Sequence, residues 1–332
     1  MIKQCLSLIA LAVIALALVA CGDTLVISGV DDKVSAARER NDGPAIWVAK
    51  DFDSTLYLFG TVHLLPDDLD WQKDDMRAAF KEAGTIFFEV DSGTQAQAEA
   101  TVLATSLGMR KDGLRLSGSL DSYQLKLLDA AAHNGELSLS ALDSMKPWLA
   151  SEFLTVAAAS NAGLSSQLSA DEALKSRAKR EQKNIIYLET IEEQIRVSAD
   201  QPEFVQMTLL TETLEGFNSL GDDLTSIVRS WSVGRTEFLT REMVLALKEK
   251  SPDFYNALLV DRNRKWSKTL TRWMEDSGTG FVAVGASHLL GDDSLIEMLR
   301  EQGYQVSRYY AFQGENVINP INPTITRPET DN

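Results

Sequence analysis

Five short apolar runs punctuate the chain: Leu56-Tyr57-Leu58-Phe59, Ile86-Phe87-Phe88, Ile185 to Leu188, Phe281 to Val284, and Val306 to Tyr310. They are rich in aromatic and β-branched residues, and their near-continuous hydrophobicity predicts strands covered on both faces. Between the first two, Met76, Ala79 and Phe80 recur at helical spacing in a stretch from about Asp70 to Ala83, with Gly84 as its stop. Between the last two, Leu295, Ile296 and Leu299 share one helical face behind the candidate caps Asp292, Asp293 and Ser294, with Gly303 as the stop. Each pair of strands therefore reads as a βαβ unit. The stretches at about 95–180 and 191–276 are rich in Ala, Leu, Glu and Lys and predict helices inserted beside the sheet. No repeat of fixed period recurs, which excludes a solenoid. The pattern predicts an α/β chain with α+β character: a mixed central sheet built from two βαβ units, and a helical insertion layer.

The ends read differently. Lys3 precedes an apolar run from Cys5 to Ala20 that is short for a membrane span and suited to a signal-peptide core. It closes as Leu18-Val19-Ala20-Cys21-Gly22, which resembles the lipobox of bacterial lipoproteins. Residues 1–20 are thus expected to be cleaved and Cys21 acylated, anchoring the chain in a lipid bilayer on the periplasmic face of the envelope. Gly22 stands where an Asp would signal inner-membrane retention, which favours the outer membrane. Residues 21–43 form a polar tether ending in the turn cluster Asn41-Asp42-Gly43-Pro44. A folded body is expected over 44–313, and a disordered tail with Pro320, Pro323 and Pro328 over 314–332.

Composition narrows the chemistry. Of 332 residues, 32 are Lys or Arg and 48 are Asp or Glu, a formal charge of −16 that argues against a nucleic-acid partner and suits a cation or a positively charged substrate. The two cysteines, Cys5 and Cys21, make neither a disulfide framework nor a cysteine-based zinc site. Any metal must be held by His and carboxylates.

The first strand runs into Gly60-Thr61-Val62-His63-Leu64-Leu65 and the fourth into Gly285-Ala286-Ser287-His288-Leu289-Leu290. With 20 Gly and 3 His in the chain, one GxxH has a chance expectation of about 0.2, so two at strand ends form a specific signal. In open α/β sheets ligands bind outside the carboxyl ends of the strands, where glycine permits a sharp turn. Two further strands end in acids, Glu89 (with Asp91 beyond it) and Glu189, and a carboxylate there is costly unless paired or metal-bound. Two histidines and one or two carboxylates at one sheet edge predict a site for a divalent metal of the Mn, Fe, Co or Zn type. His133, in Ala-Ala-His-Asn-Gly, has no strand or glycine to present it and reads as structural. HExxH, GxSxG and Walker sequences are absent, and Gly278-Thr279-Gly280 precedes its strand, which excludes the dinucleotide fingerprint.

These segments resemble the TraB/GumN family, the TraB/PrgY/Tiki group, over about 44–312. The resemblance is carried by Leu56 to His63, Phe88-Glu89-Val90-Asp91, Lys146-Pro147-Trp148, Leu188 to Gln194, Asp261 to Trp266, and Val284 to Leu289. It implies a fold like that of haem-binding ChaN-like lipoproteins and erythromycin esterases. In the Tiki branch the two GxxH motifs and an acid serve a metal-dependent peptidase. By position, the resemblance implies a metal or catalytic set of His63, Glu89 and His288, with Arg262 and Asn263 as supporting groups.

Read together, the residues and the resemblance give the expectation of a metal-dependent hydrolase, foremost a peptidase acting on a peptide or other small envelope substrate. His63, Glu89 and His288 would hold Mn2+, Co2+ or Zn2+, Glu189 would take a proton from the metal-bound water, and Arg262 would stabilise the oxyanion. Gly60, Gly285 and Asn263 would support them. The alternative class is a non-enzymatic envelope protein that captures haem, a peptide signal or a polysaccharide intermediate.

Overall fold

A computed structural model of the chain describes residues 43–311. The expected signal peptide, Cys21, nearly all of the expected tether and the expected 314–332 tail lie outside the described residues.

The sheet has six strands: β1 (Ile46–Lys50), β2 (Ser54–Thr61), β3 (Thr85–Phe88), β4 (Asn184–Tyr187), β5 (Gly278–Gly285) and β6 (Gln305–Arg308), in the order β4-β3-β5-β2-β1-β6. β2, β5, β3 and β4 are parallel neighbours, whereas β1 pairs antiparallel with both β2 and β6, so the sheet is mixed as expected. Two details depart from the sequence reading. Strand β1 was not anticipated; it folds back on β2 around Asp51, whose carboxylate accepts from the backbone N–H of Asp53 and Ser54. The two βαβ units are also not made of adjacent strands. β5 lies between β2 and β3, and both β2 and β1 lie between β5 and β6.

Helices cover both faces, and period-two alternation sorts the strand side chains between them. Tyr57, Phe59, Ile86, Phe88, Phe281 and Ala283 pack on one face with Phe80, Trp231 and Phe254. Leu56, Leu58, Phe87, Val282 and Val284 pack on the other with Trp266, Leu270 and Leu299. The first face is covered in part by α1 (Asp74–Glu82), which buries Met76, Ala79 and Phe80. Gly84 is not a left-handed cap for it. The helix ends at Ala83 in extended backbone, and the Gly84 N–H donates to Thr279 O in the sheet.

The helical insertion comprises α2 (Thr94–Gly108), α3 (Ser122–Asn134), α4 (Pro147–Asn161), α5 (Ala170–Arg180), α6 (Ile191–Ala199) and α7 (Glu203–Ser232). Most of these helices share a second core around Trp148, Leu149, Leu154, Ile195 and Leu210. After α7 the chain stays mostly helical, with π-helical turns at Thr240–Leu245 and Asn256–Val260, and then forms α8 (Asp261–Met274). β5 leads through a 3-10 turn, Ala286–Leu289, to α9 (Leu295–Glu301). Here the sequence reading of caps holds: the Ser294 hydroxyl accepts from the Glu297 N–H, and Gly303 takes φ 92° just past the helix end. Among the described residues no helix is long and apolar enough to cross a membrane.

Candidate functional site at the carboxyl edge of the sheet

Because β2, β3, β4 and β5 run parallel, the residues that follow them emerge at one edge. His63 follows β2, Glu89 follows β3, Glu189 follows β4, and His288 lies in the turn after β5. All four are buried. Gly60 is the penultimate residue of β2, where a Cβ would stand 2.8 Å from the Ala286 Cα, so this glycine lets the two motif turns touch. The Gly60 carbonyl accepts from Trp231 Nε1 at 2.7 Å. Gly285 ends β5, and its N–H donates to Glu89 Oε1 at 2.7 Å.

Arg262, in the first turn of α8, is the hub. Its Nε and one Nη2 hydrogen clasp Glu189 at 2.9 and 2.8 Å, and Nη2 also donates to Glu89 Oε2 at 2.9 Å. Nη1 donates to Leu258 O, in the π-helical turn, at 3.0 Å and to His288 Nε2 at 2.8 Å. A guanidinium has five N–H donors, and all five are used. Its flat face lies over Trp266, which also contacts the His288 ring at a centroid distance of 4.4 Å. Glu89 Oε2 takes a second bond from Gln194 at 3.0 Å.

These contacts set the tautomer and charge of His288. Asn263 Nδ2 donates to Asp293 O at 2.9 Å, leaving Asn263 Oδ1 to accept from His288 Nδ1 at 2.7 Å, so Nε2 carries the lone pair facing Arg262. Burial and the adjacent guanidinium hold His288 well below the usual histidine range, and it is neutral. Two buried carboxylates share one guanidinium. Burial opposes ionisation of both, but Glu89 has the guanidinium and the Gly285 N–H on its side and stays below the usual carboxylate value. Glu189 has fewer helpers, and its burial pushes it upward.

His63 has a different environment. Its Nδ1 lies 2.9 Å from Asp171 Oδ2, an ion-pair distance approached off the axis of a well-formed hydrogen bond. Asp171 is fixed by Thr61, whose hydroxyl donates to Oδ1 at 2.9 Å, and by the start of α5, where the Ala170 N–H bonds Val62 O. Burial alone would lower the His63 pKa, but the Asp171 carboxylate, with Glu89 further off, outweighs it and raises the value. Nε2 has no hydrogen-bond partner among the described residues, and His63 lines a cavity that His288 and Ser287 also line.

The structure thus brings together Gly60, His63, Glu89, Glu189, Arg262, Asn263, Gly285 and His288; Asp91 is exposed and accepts from the Tyr187 hydroxyl at 3.1 Å, and Cys21 lies outside the described residues. Asp171, Thr61 and Gln194 were not anticipated. Asp171 sits in a first helical turn behind the Ser169 cap, where an acid ordinarily complements the helix dipole, so nothing in the sequence marked it. The donor set also bears on the metal. His288 Nε2 and both Glu89 oxygens are committed to Arg262, Gln194 and Gly285, and among the described residues no three His, Cys, Asp or Glu side chains are placed to hold a metal ion. A cation placed between His63, Glu89 and His288 would face the guanidinium charge, so the three residues do not fit a metal in this arrangement. All five Arg262 N–H groups are engaged, so none is left for an oxyanion, whereas each Glu189 oxygen accepts a single bond, from Arg262.

Comparison with known proteins agrees with the motif reading at the level of family. Two relatives, each named as the uncharacterized protein YbaP, are 25% identical over 257 residues, one from Escherichia coli strain K12 and one from Shigella flexneri. Each match covers 77% of this chain and 92% of the relative. No solved structure matches. The model of the TraB/PrgY/gumN family matches residues 45–308, and the chain belongs to that family.

Proposed function

We propose that the chain is a hydrolase of the bacterial envelope, anchored through Cys21, in which His63 is the general base. The observation that carries this reading is the state of His63 Nε2: it is a strong acceptor, unpaired, at the wall of a cavity, on a ring held by Asp171. A carboxylate that raises a histidine from its ordinary value makes its ring a stronger base than a free imidazole, which suits taking a proton from water.

In this reading Nε2 takes a proton from a water as its oxygen adds to the carbonyl carbon of a peptide or related substrate. The imidazolium then returns the proton to the leaving nitrogen as the C–N bond breaks. Ser287 lines the same cavity, and its hydroxyl, which has no hydrogen-bond partner among the described residues, is available to the oxyanion. Arg262, Glu89, Glu189 and Asn263 act by holding the two motif turns together. No step is assigned to Mn2+, Co2+ or Zn2+, because the donors they would need are taken.

The test uses full-length protein in detergent, parent beside His63→Ala, assayed on a peptide library and analysed for metals. Turnover by the parent that falls at least 100-fold in His63→Ala, with melting unchanged, supports the reading. Undiminished turnover in His63→Ala removes His63 as base. Stoichiometric Mn, Co or Zn in the parent, lost in His63→Ala, replaces the metal-free arrangement with a metal-loaded one. Radiolabelled palmitate incorporation that disappears in Cys21→Ser checks the anchor.

A further inference from the structure

The cavity beside His63 has polar and apolar walls. Thr61, His63, Ser287 and His288 contribute its polar side chains, and Leu164, Leu224, Ile227, Val228, Met243 and Leu259 are prominent among the apolar ones. No Asp, Glu, Lys or Arg lines it, and His288 in its wall is neutral. Leu224, Ile227 and Val228 come from successive turns of α7. Met243 and Leu259 come one from each of the two π-helical turns. Two π-helical turns within twenty-one residues, each contributing a side chain to one cavity beside one histidine, fit the tendency of such turns to occur at functional sites.

We infer that this cavity is the subsite for a small branched aliphatic group of the substrate, of the size of a valine or leucine side chain, next to the bond that His63 acts on. The inference rests on the hydrolase reading for its link to a scissile bond; the binding preference itself does not. A cavity volume of about 40 Å3 holds about three water-sized groups, enough for the three carbons of an isopropyl group, with the methylene of an isobutyl group outside it, and too little for an aromatic ring or a long acyl chain. A charged or strongly polar side chain would lose its hydration there with no partner to replace it. The preferred substrate is therefore a peptide with Val, Leu or Ile flanking the cleaved bond. The polar wall leaves its carbonyl beside His63 Nε2 and Ser287.

The probe is 3-methylbutanamide, which carries an isobutyl group on a carboxamide, compared with acetamide and octanamide. Binding to full-length protein in detergent is followed by the methyl NMR signals of Ile227, Val228 and Leu259. Each buried methylene strengthens binding roughly fourfold, so 3-methylbutanamide is expected to bind roughly 60-fold tighter than acetamide, and octanamide no tighter than 3-methylbutanamide. The binding should be lost in Ile227→Phe, which fills the cavity; Val228→Leu, adding one methylene, should weaken it if Ile227→Phe does not fold. Equal affinity for acetamide, unmoved methyl signals, or binding indifferent to the filling variants would overturn the inference. Tighter binding of octanamide would overturn its size limit. Hydrolysis without 3-methylbutanamide binding would leave His63 as base and remove this subsite, whereas binding without hydrolysis would do the reverse.

Discussion

Replacing Arg262 with Met separates a structural hub from a catalytic arginine. The side chain is 6% exposed, and its five N–H groups satisfy Glu189 twice and Glu89, His288 and Leu258 O once each. Methionine fills much of the volume but leaves two buried carboxylates without their cation. Removing one partner of a buried ion pair costs about 3–5 kcal/mol, so we expect a loss of about 4 kcal/mol at pH 7. For a folded body of this size that lowers the melting midpoint by roughly 8–16 °C. The pH dependence identifies the cause. In the variant both carboxylates have folded pKa values above the ordinary one, so the folded state gains protons before the unfolded state does. The loss should therefore shrink as pH falls from 7 towards 5, by up to about 1.4 kcal/mol per pH unit for each carboxylate. In the parent, Glu89 is held below its ordinary value, so its stabilisation is lost only at lower pH, whereas Glu189 is raised and already adds stability to the parent as pH falls, so the shrinkage is carried mainly by Glu89. Urea unfolding followed by circular dichroism at pH 7, 6 and 5 measures the effect. A loss under 1 kcal/mol at pH 7, or one that does not change with pH, would refute the argument that Arg262 holds two buried carboxylates.

Further outcomes follow from the same geometry. Asp171→Asn removes the charge that raises His63, so the acid limb of kcat/KM, where His63 becomes protonated, should move to lower pH by about 1 unit or more. His63, being raised, contributes stability that is complete below its unfolded value and lost as pH rises through its folded value, so the His63 part of the variant's stability loss should be larger at pH 6 than at pH 8. Gly60→Ala places a Cβ 2.8 Å from backbone at Ala286 and should cost about 1–3 kcal/mol in urea unfolding, with turnover reduced through displaced motif turns. Gly118→Ala, where a Cβ meets nothing within 4 Å, should stay within about 0.5 kcal/mol of the parent.

The site was largely legible in the sequence because parallel strands put consecutive strand ends at one edge. Apolar runs ending in GxxH or in an acid give a list of residues at that edge with no further geometry. Strand β1 was harder to see: Ile46-Trp47-Val48-Ala49 is flanked by polar turn residues and has no helix before its partner, so it lacked the βαβ rhythm that marked the others. The strand order was hidden as well, since β5 enters between β2 and β3 although it begins 190 residues after β3 ends.

The sequence by itself determined the mixed α/β class, the helical insertion and the gathering of His63, Glu89, Glu189 and His288 at one sheet edge, because periodicity, glycine placement and motif spacing are properties of local stretches of chain; the family, and with it Arg262 and Asn263, came from resemblance. The tertiary structure decided what those residues do to one another. Whether Arg262 faces a substrate or clasps Glu189, and whether His288 Nε2 is free or already paired, depends on distances of about 3 Å between groups far apart in the chain. Hydrogen bonding and charge pairing change sharply over an ångström, and only the packed fold sets distances that finely.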